Sequence, residues 1–163
     1  VGGAVPRQFF SAIEAGIRDG MTRGVIAEQP IVDIKVSLVD GKSHDVDSSE
    51  RAFQTAASMA LRKAVAQAGP ILLEPMMHVE VVAPEDYTGE IIGELSSRMA
   101  SITGIESRNG SGQSIQAHVP LASMFGYATT LRSRTQGRGT FMMEFDHYAP
   151  VSPELMKERE NAR

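Results

Sequence analysis

The sequence predicts an α+β protein made of two small units, and three observations carry that expectation. Apolar residues recur at helical spacing in four stretches and alternate with polar residues in others. Gly69-Pro70 stops the clearest helical run and starts a second unit. After that stop, the order strand–helix–strand–strand–helix–strand is the split βαβ, ferredoxin-like plan, with an antiparallel sheet and both helices on one face. A length of 163 residues suits one ordinary domain or two small ones.

The first unit opens with "AVPRQFFSAIEAGIRDGM", a helix by the spacing of Phe9, Phe10, Ile13 and Ile17, with Pro6 in its first turn and Gly20 and Gly24 marking its end. In "PIVDIKVSLVDG", Val32, Ile34, Val36 and Leu38 alternate with Asp33, Lys35 and Ser37, which predicts a half-buried strand ended by the Asp40-Gly41 turn. "DSSERAFQTAASMALRKAVAQAGP" is the clearest helix. Asp47 with Glu50 resembles a capping box, and Ser48 and Ser49 are equally good caps. Its stripe of Phe53, Ala56, Ala57, Ala60, Leu61, Ala64 and Val65 is rich in small residues, which would let a sheet approach closely.

In the second unit, "ILLEPMMHVEVVAP" reads as a strand and "PEDYTGEIIGELSSRM" as a helix whose start is marked by Pro84, Glu85 and Asp86. Two strands flank the hairpin signal Asn109-Gly110-Ser111-Gly112. "PLASMFGYATTLRSRT" is a helix, "GTFMMEFDHY" a last strand, and residues 149–163 a polar tail.

Composition excludes several chemistries. The chain has no cysteine, so disulfides, Cys-ligated zinc, Fe–S clusters and a thiol nucleophile are out. No apolar run approaches the roughly 18–20 residues of a membrane helix, and the start lacks signal-peptide features. The first residue is Val, which fits a processed product, an engineered piece or a fragment. Net charge is −4, which argues against a general nucleic-acid glue, yet "RSRTQGR" gathers Arg132, Arg134 and Arg138.

The candidate sites each have a plain reading. In "DGKSHDVDSSE", His44 stands among Asp40, Asp45, Asp47 and Glu50. That pattern reads as a solvated turn and helix cap, a metal site, a general base or a recognition loop. His44, His78, His118 and His147 show no helical pairing, and the loop lacks the glycine of a calcium-binding loop, so a metal is not expected. No phosphate-binding loop, nucleophile elbow or triad is present, so the chain alone is not expected to be an enzyme. The arginines of "LRSRTQGR" suit a helix C-terminus or phosphate contact. For His78 and His118, exposed strand positions suffice.

Four stretches together carry a family resemblance. They are "GGAVPRQFFSAIEAGIRDGM", "VDIKVSLVDGKSHDVDSSERAFQTAASMA", "LLEPMMHVEVVAPEDYTGEIIGELSSR" and "VPLASMFGYATTLRSRTQGRGTFMMEFDHY". In this order and spacing they resemble the C-terminal part of elongation factor G, a bacterial-type translational GTPase that drives ribosomal translocation.

The resemblance implies that residues 1–70 are most of the fourth domain, an α/β sandwich with a left-handed βαβ crossover of ribosomal-protein-like type. Residues 71–148 would be the fifth, ferredoxin-like domain. It implies a tip loop over Asp40–Asp47, in which Asp40, Gly41, Lys42, Ser43, His44 and Asp45 meet the small-subunit decoding region and the tRNA–mRNA duplex. It implies large-subunit rRNA contacts near the GTPase-associated region from Arg98, Arg132, Arg134 and Arg138, and a part in that contact for the nearby Phe125, Gly126 and Tyr127, some of which pack the helix instead. No cofactor belongs to this chain. GTP and Mg²⁺ would bind the GTPase domain of the parent protein, which would hydrolyse GTP. The expected location is the cytoplasm, or the mitochondrial matrix for an organellar copy. "RMA" at Arg98–Ala100 replaces an arginine-rich "RRG" common in the family, which removes positive charge and leaves open a paralogue acting in ribosome recycling or protection.

Overall fold

A computed structural model describes residues 5–44, 46–108, 110 and 112–152. The chain divides into two compact units, with breaks at Leu72/Leu73 and Val151/Ser152. The class is α+β.

The first unit is built on two helices. A 3-10 turn at Arg7–Phe9, entered through Pro6, runs into α1 (Phe10–Arg23). Gly24, at φ 62°, ends α1 with its N–H on the Gly20 carbonyl. Helix α2 (Glu50–Gln67) packs along α1. Phe9 stacks on Phe53 with ring centroids 4.4 Å apart, and Val5, Phe9 and Ile13 form a small core joined by Ile17, Phe53 and Ala57. Phe10, on the same helical pattern, is exposed.

Small residues do allow a close approach here, but they lie on α1. A Cβ on Gly16 would stand 2.1 Å from the Gln54 carbonyl oxygen, and one on Gly20 would stand 3.0 Å from a Leu61 methyl. Gly20 is therefore a packing position inside α1, not the end of the helix. On α2, Ala56, Ala60 and Ala64 are exposed and Leu61 is the buried residue. The surface that approaches closely is a helix rather than a sheet.

The expected strand at Val32–Leu38 is not formed. Residues 32–40 are all exposed, with no alternation of burial, and Asp33 takes φ 57°, which interrupts an extended run. A strand is stabilised by ladder hydrogen bonds to a neighbour. Among the described residues this unit contains no strand to pair with it. The βαβ crossover expected here thus has no strands to connect among those residues.

The second unit follows the ferredoxin-like order: β1 (Leu73–Pro84), α3 (Thr88–Ser97), β2 (Ser101–Arg108), β3 (Gly112–Pro120), α4 (Tyr127–Arg134) and β4 (Thr140–Pro150). The strands form one antiparallel sheet in the order β2-β3-β1-β4. Alternation sets the faces. Met77, Val79, Val81 and Ala83 of β1 and Ile115, Ala117 and Val119 of β3 are buried with Ile91 and Leu95 of α3 and Met124, Tyr127 and Leu131 around α4. The opposite face carries His78, Glu80, Gln116 and His118. Of the expected hairpin turn, Asn109 and Ser111 lie outside the described residues, and so does the tail after Ser152.

Candidate functional site

The first candidate is the loop before α2. Ser49 is the cap, since its Oγ accepts from the Ala52 N–H at 3.1 Å. Ser48 does something different. Its Oγ accepts the His44 N–H at 2.8 Å, and its own N–H donates to the His44 carbonyl at 3.1 Å. Two hydrogen bonds therefore close the backbone from His44 to Ser48. Asp47 and Glu50, which resemble a capping box in sequence, are not the cap acceptors.

At the other end of the loop, the Asp40 carboxylate accepts the Gly41 N–H at 2.7 Å. A Cβ on Gly41 would fall 2.5 Å from a Val5 methyl. Glycine is needed there for space against Val5; a left-handed turn is not the reason, because Gly41 is not among the positive-φ glycines. Lys42, Ser43 and His44 are exposed between these anchors. Asp45 lies outside the described residues.

The second candidate is the turn after α4. Thr135 is fully buried; its hydroxyl donates to the Leu131 carbonyl at 2.7 Å and accepts the Gly139 N–H at 2.9 Å. Gln136 and Gly137 follow in left-handed conformations, φ 53° and 77°. The Gly137 N–H closes on the Arg132 carbonyl at 2.8 Å. Gln136 is the residue that sequence reasoning missed. A non-glycine residue at positive φ costs energy and persists only where its surroundings enforce it; here the buried Thr135 clamp does so. The one signal for it was the Gly137-containing "TQGR" turn.

The four arginines are used differently. Arg132 is exposed and its side chain has no partner among the described residues. Arg138 lies over the Tyr87 ring at 6.0 Å and lines a concavity that Glu85 and Asp86 also line. Arg134 pairs with Glu90 at 3.2 Å and Glu94 at 3.1 Å.

Arg98 is turned inward. Its Nε donates to Glu94 at 2.8 Å, its Nη1 to the carbonyls of Ser123 and Phe125, and its Nη2 to the Thr130 hydroxyl. Four of the roughly five guanidinium N–H donors are thus occupied within the unit. The group also lies 5.2 Å from the Tyr127 ring centroid. Glu94 joins Arg98 and Arg134 through its two oxygens. Arg98 therefore organises its own unit rather than forming part of an open cationic surface. Tyr127, buried among these groups with an unpartnered hydroxyl, has its phenol pushed up to about 12, by burial first, with Arg98 opposing.

The open face of the sheet gathers the remaining histidines. His78 and His118 stand directly opposite, 5.7 Å between centroids, and His118 and His147 are 5.6 Å apart. Asp146 contacts both His147 and His118, and its carboxyl is held below the ordinary range, chiefly by the His147 hydrogen bond. Among the described residues, no group of three His, Asp or Glu side chains is arranged to hold a metal ion. No described helix is long and apolar enough to cross a membrane.

Comparisons with known proteins agree with this architecture. A family model described as Elongation factor G, domain IV matches residues 1–69, and one described as Elongation factor G C-terminus matches residues 71–159. A crystal structure of a protein from Thermus thermophilus superposes with a TM-score of 0.81 at 39% identity. That match covers 99% of this chain and 25% of the other, so the chain spans about a quarter of that relative's length. By two family matches that together run nearly end to end, and by a shared fold at this identity, the chain belongs to the elongation factor G family and corresponds to its C-terminal part.

Proposed function

We propose that this chain is the ribosome-contacting part of a translational GTPase that promotes GTP-dependent movement of tRNA and mRNA. The tied loop at His44 carries the reading. An exposed imidazole on a backbone closed by Ser48 at one end and packed through Gly41 at the other is a stiff projection, which positional recognition requires. Imidazole donates or accepts a hydrogen bond and stacks on a base or ribose, so it suits a tRNA–mRNA partner in the decoding region without high net charge. The Arg132 turn supplies a phosphate contact to large-subunit rRNA. GTP and Mg²⁺ belong to a GTPase domain of the full-length protein, outside this chain.

The deciding experiment uses the full-length gene product on programmed ribosomes. His44→Ala is expected to slow tRNA–mRNA movement about tenfold or more, a barrier change of at least roughly 1.4 kcal/mol, while GTP hydrolysis stays near normal. Fast mixing reads both steps on the same ribosomes. Equal loss of both would indicate impaired docking, and loss of neither would return His44 to an ordinary solvated turn.

A further inference from the structure

Phe125 is the most exposed aromatic residue of the second unit, at 80%. A lone exposed apolar residue is ordinary. What sets Phe125 apart is how firmly its backbone is held. Phe125 (φ −59°, ψ 131°) and Gly126 (φ 74°, ψ −1°) are the two central residues of a type II turn, which needs glycine at the second position. The residues on either side, Met124 and Tyr127, are buried at 6% and 1%. Arg98, from the end of α3, donates to the Ser123 carbonyl at 2.6 Å and the Phe125 carbonyl at 3.1 Å. The ring is thus carried at the corner of a turn fastened to the core on both sides.

We propose that Phe125 is an aromatic anchor that enters an apolar pocket on a protein surface of the ribosome, and that Arg98 is the positioning residue that holds the anchor out. Pre-ordering the turn removes conformational entropy that binding would otherwise have to overcome. The partner follows from the surroundings. The exposed residues next to Phe125 in sequence are Ala122, Gly126, Ala128 and Thr129, small and uncharged. The guanidinium bonded to the turn already has four donors engaged. A phosphate-rich partner calls for open cations. A rigid aromatic in a small neutral collar has the form of an interface hot spot. The arginine turn at the far end of α4 would meet RNA, and this end would meet protein.

The inference rests on ribosome binding proposed above, and one experiment separates the two. A photoreactive benzophenone amino acid is placed at position 125, or at position 132 as a comparison, in the full-length gene product bound to purified ribosomes. Irradiation is expected to join position 125 to a ribosomal protein. An adduct with rRNA at position 125 overturns the inference in favour of base stacking. An adduct at position 132 with none at 125 also overturns it, while leaving ribosome binding intact. Failure of the unmodified protein to bind ribosomes at all overturns both readings.

Affinity supplies the second measurement. Phe125→Ala is expected to weaken binding about thirtyfold, by the same factor at about 50 and about 200 mM salt, because no counterion is released. Phe125→Leu, which still fills an apolar pocket, is expected to stay within about threefold. Leu behaving like Ala while Phe125→Trp binds normally would point to stacking and sink the proposal. Arg98→Lys is expected to weaken binding as Phe125→Ala does and to add nothing in the double variant. Full additivity would assign Arg98 to general stability alone.

Discussion

His44 and Ser48 are joined twice, through the His44 N–H on the Ser48 Oγ at 2.8 Å and the Ser48 N–H on the His44 carbonyl at 3.1 Å. Ser48→Ala removes the first bond and leaves the cap at Ser49 untouched. The expected outcome is a fully folded protein whose tRNA–mRNA movement is slowed in the same direction as His44→Ala but less. Fast-mixing rates compared with circular dichroism of the same variant check it. A wild-type rate would show that this tie is not needed to hold the imidazole.

Ser49→Ala probes the neighbouring residue with the opposite expectation. Loss of the Ala52 N–H acceptor is expected to cost about 1 kcal/mol of stability. Denaturant titration measures it, and the midpoint should fall without a change in slope.

Gly16 tests the contact between α1 and α2. A methyl there would meet the Gln54 carbonyl oxygen at 2.1 Å, a backbone atom that cannot rotate away. Gly16→Ala would normally favour a helix, but here the helices must separate, so a net loss of about 1–3 kcal/mol is expected. Gly93→Ala is the control. It also lies within a helix, α3, and a Cβ there would meet nothing within 4 Å. A thermal scan showing Gly16→Ala as stable as wild type would mean that the helices slide apart at no cost.

Glu80 predicts a pH dependence. Its carboxyl is held below the ordinary value first by the Ser114 hydroxyl, with burial opposing and Arg108 helping. A depressed folded pKa contributes stability that is present above the unfolded carboxylate value and lost as pH falls through the folded one. The gap between wild type and Glu80→Gln is therefore expected to be open at pH 7 and to close in acid. Denaturation midpoints across that range decide, and a gap independent of pH would remove the carboxylate from the explanation.

The arginines predict a contrast. Arg132→Ala is expected to leave the melting temperature unchanged and reduce the salt slope of ribosome binding by about one. Arg134→Ala also breaks the pairs to Glu90 and Glu94, so it is expected to lower stability, by at most about 1 kcal/mol because the pair is half-exposed. Binding across a salt series together with melting curves separates the two.

The sequence by itself determined the second unit's order of elements, the α+β class and the position of the arginine turn. Those rest on local chemistry: the alternation of Met77, Val79 and Val81, the helical spacing through Ile91 and Leu95, and a left-handed glycine at Gly69 that needs no distant partner. Only the tertiary structure decided the rest. Whether Val32–Leu38 becomes a strand depends on a neighbour to complete its ladder, and none is present among the described residues. Ser48 and Ser49 are indistinguishable as letters and take separate acceptor roles only once His44 is folded back. The resemblance implies an rRNA contact for Arg98, and nothing in the sequence shows that its guanidinium is drawn inward by carbonyls at Ser123 and Phe125, 25 and 27 residues away. Hydrogen-bond partners that distant leave no periodicity or spacing to read.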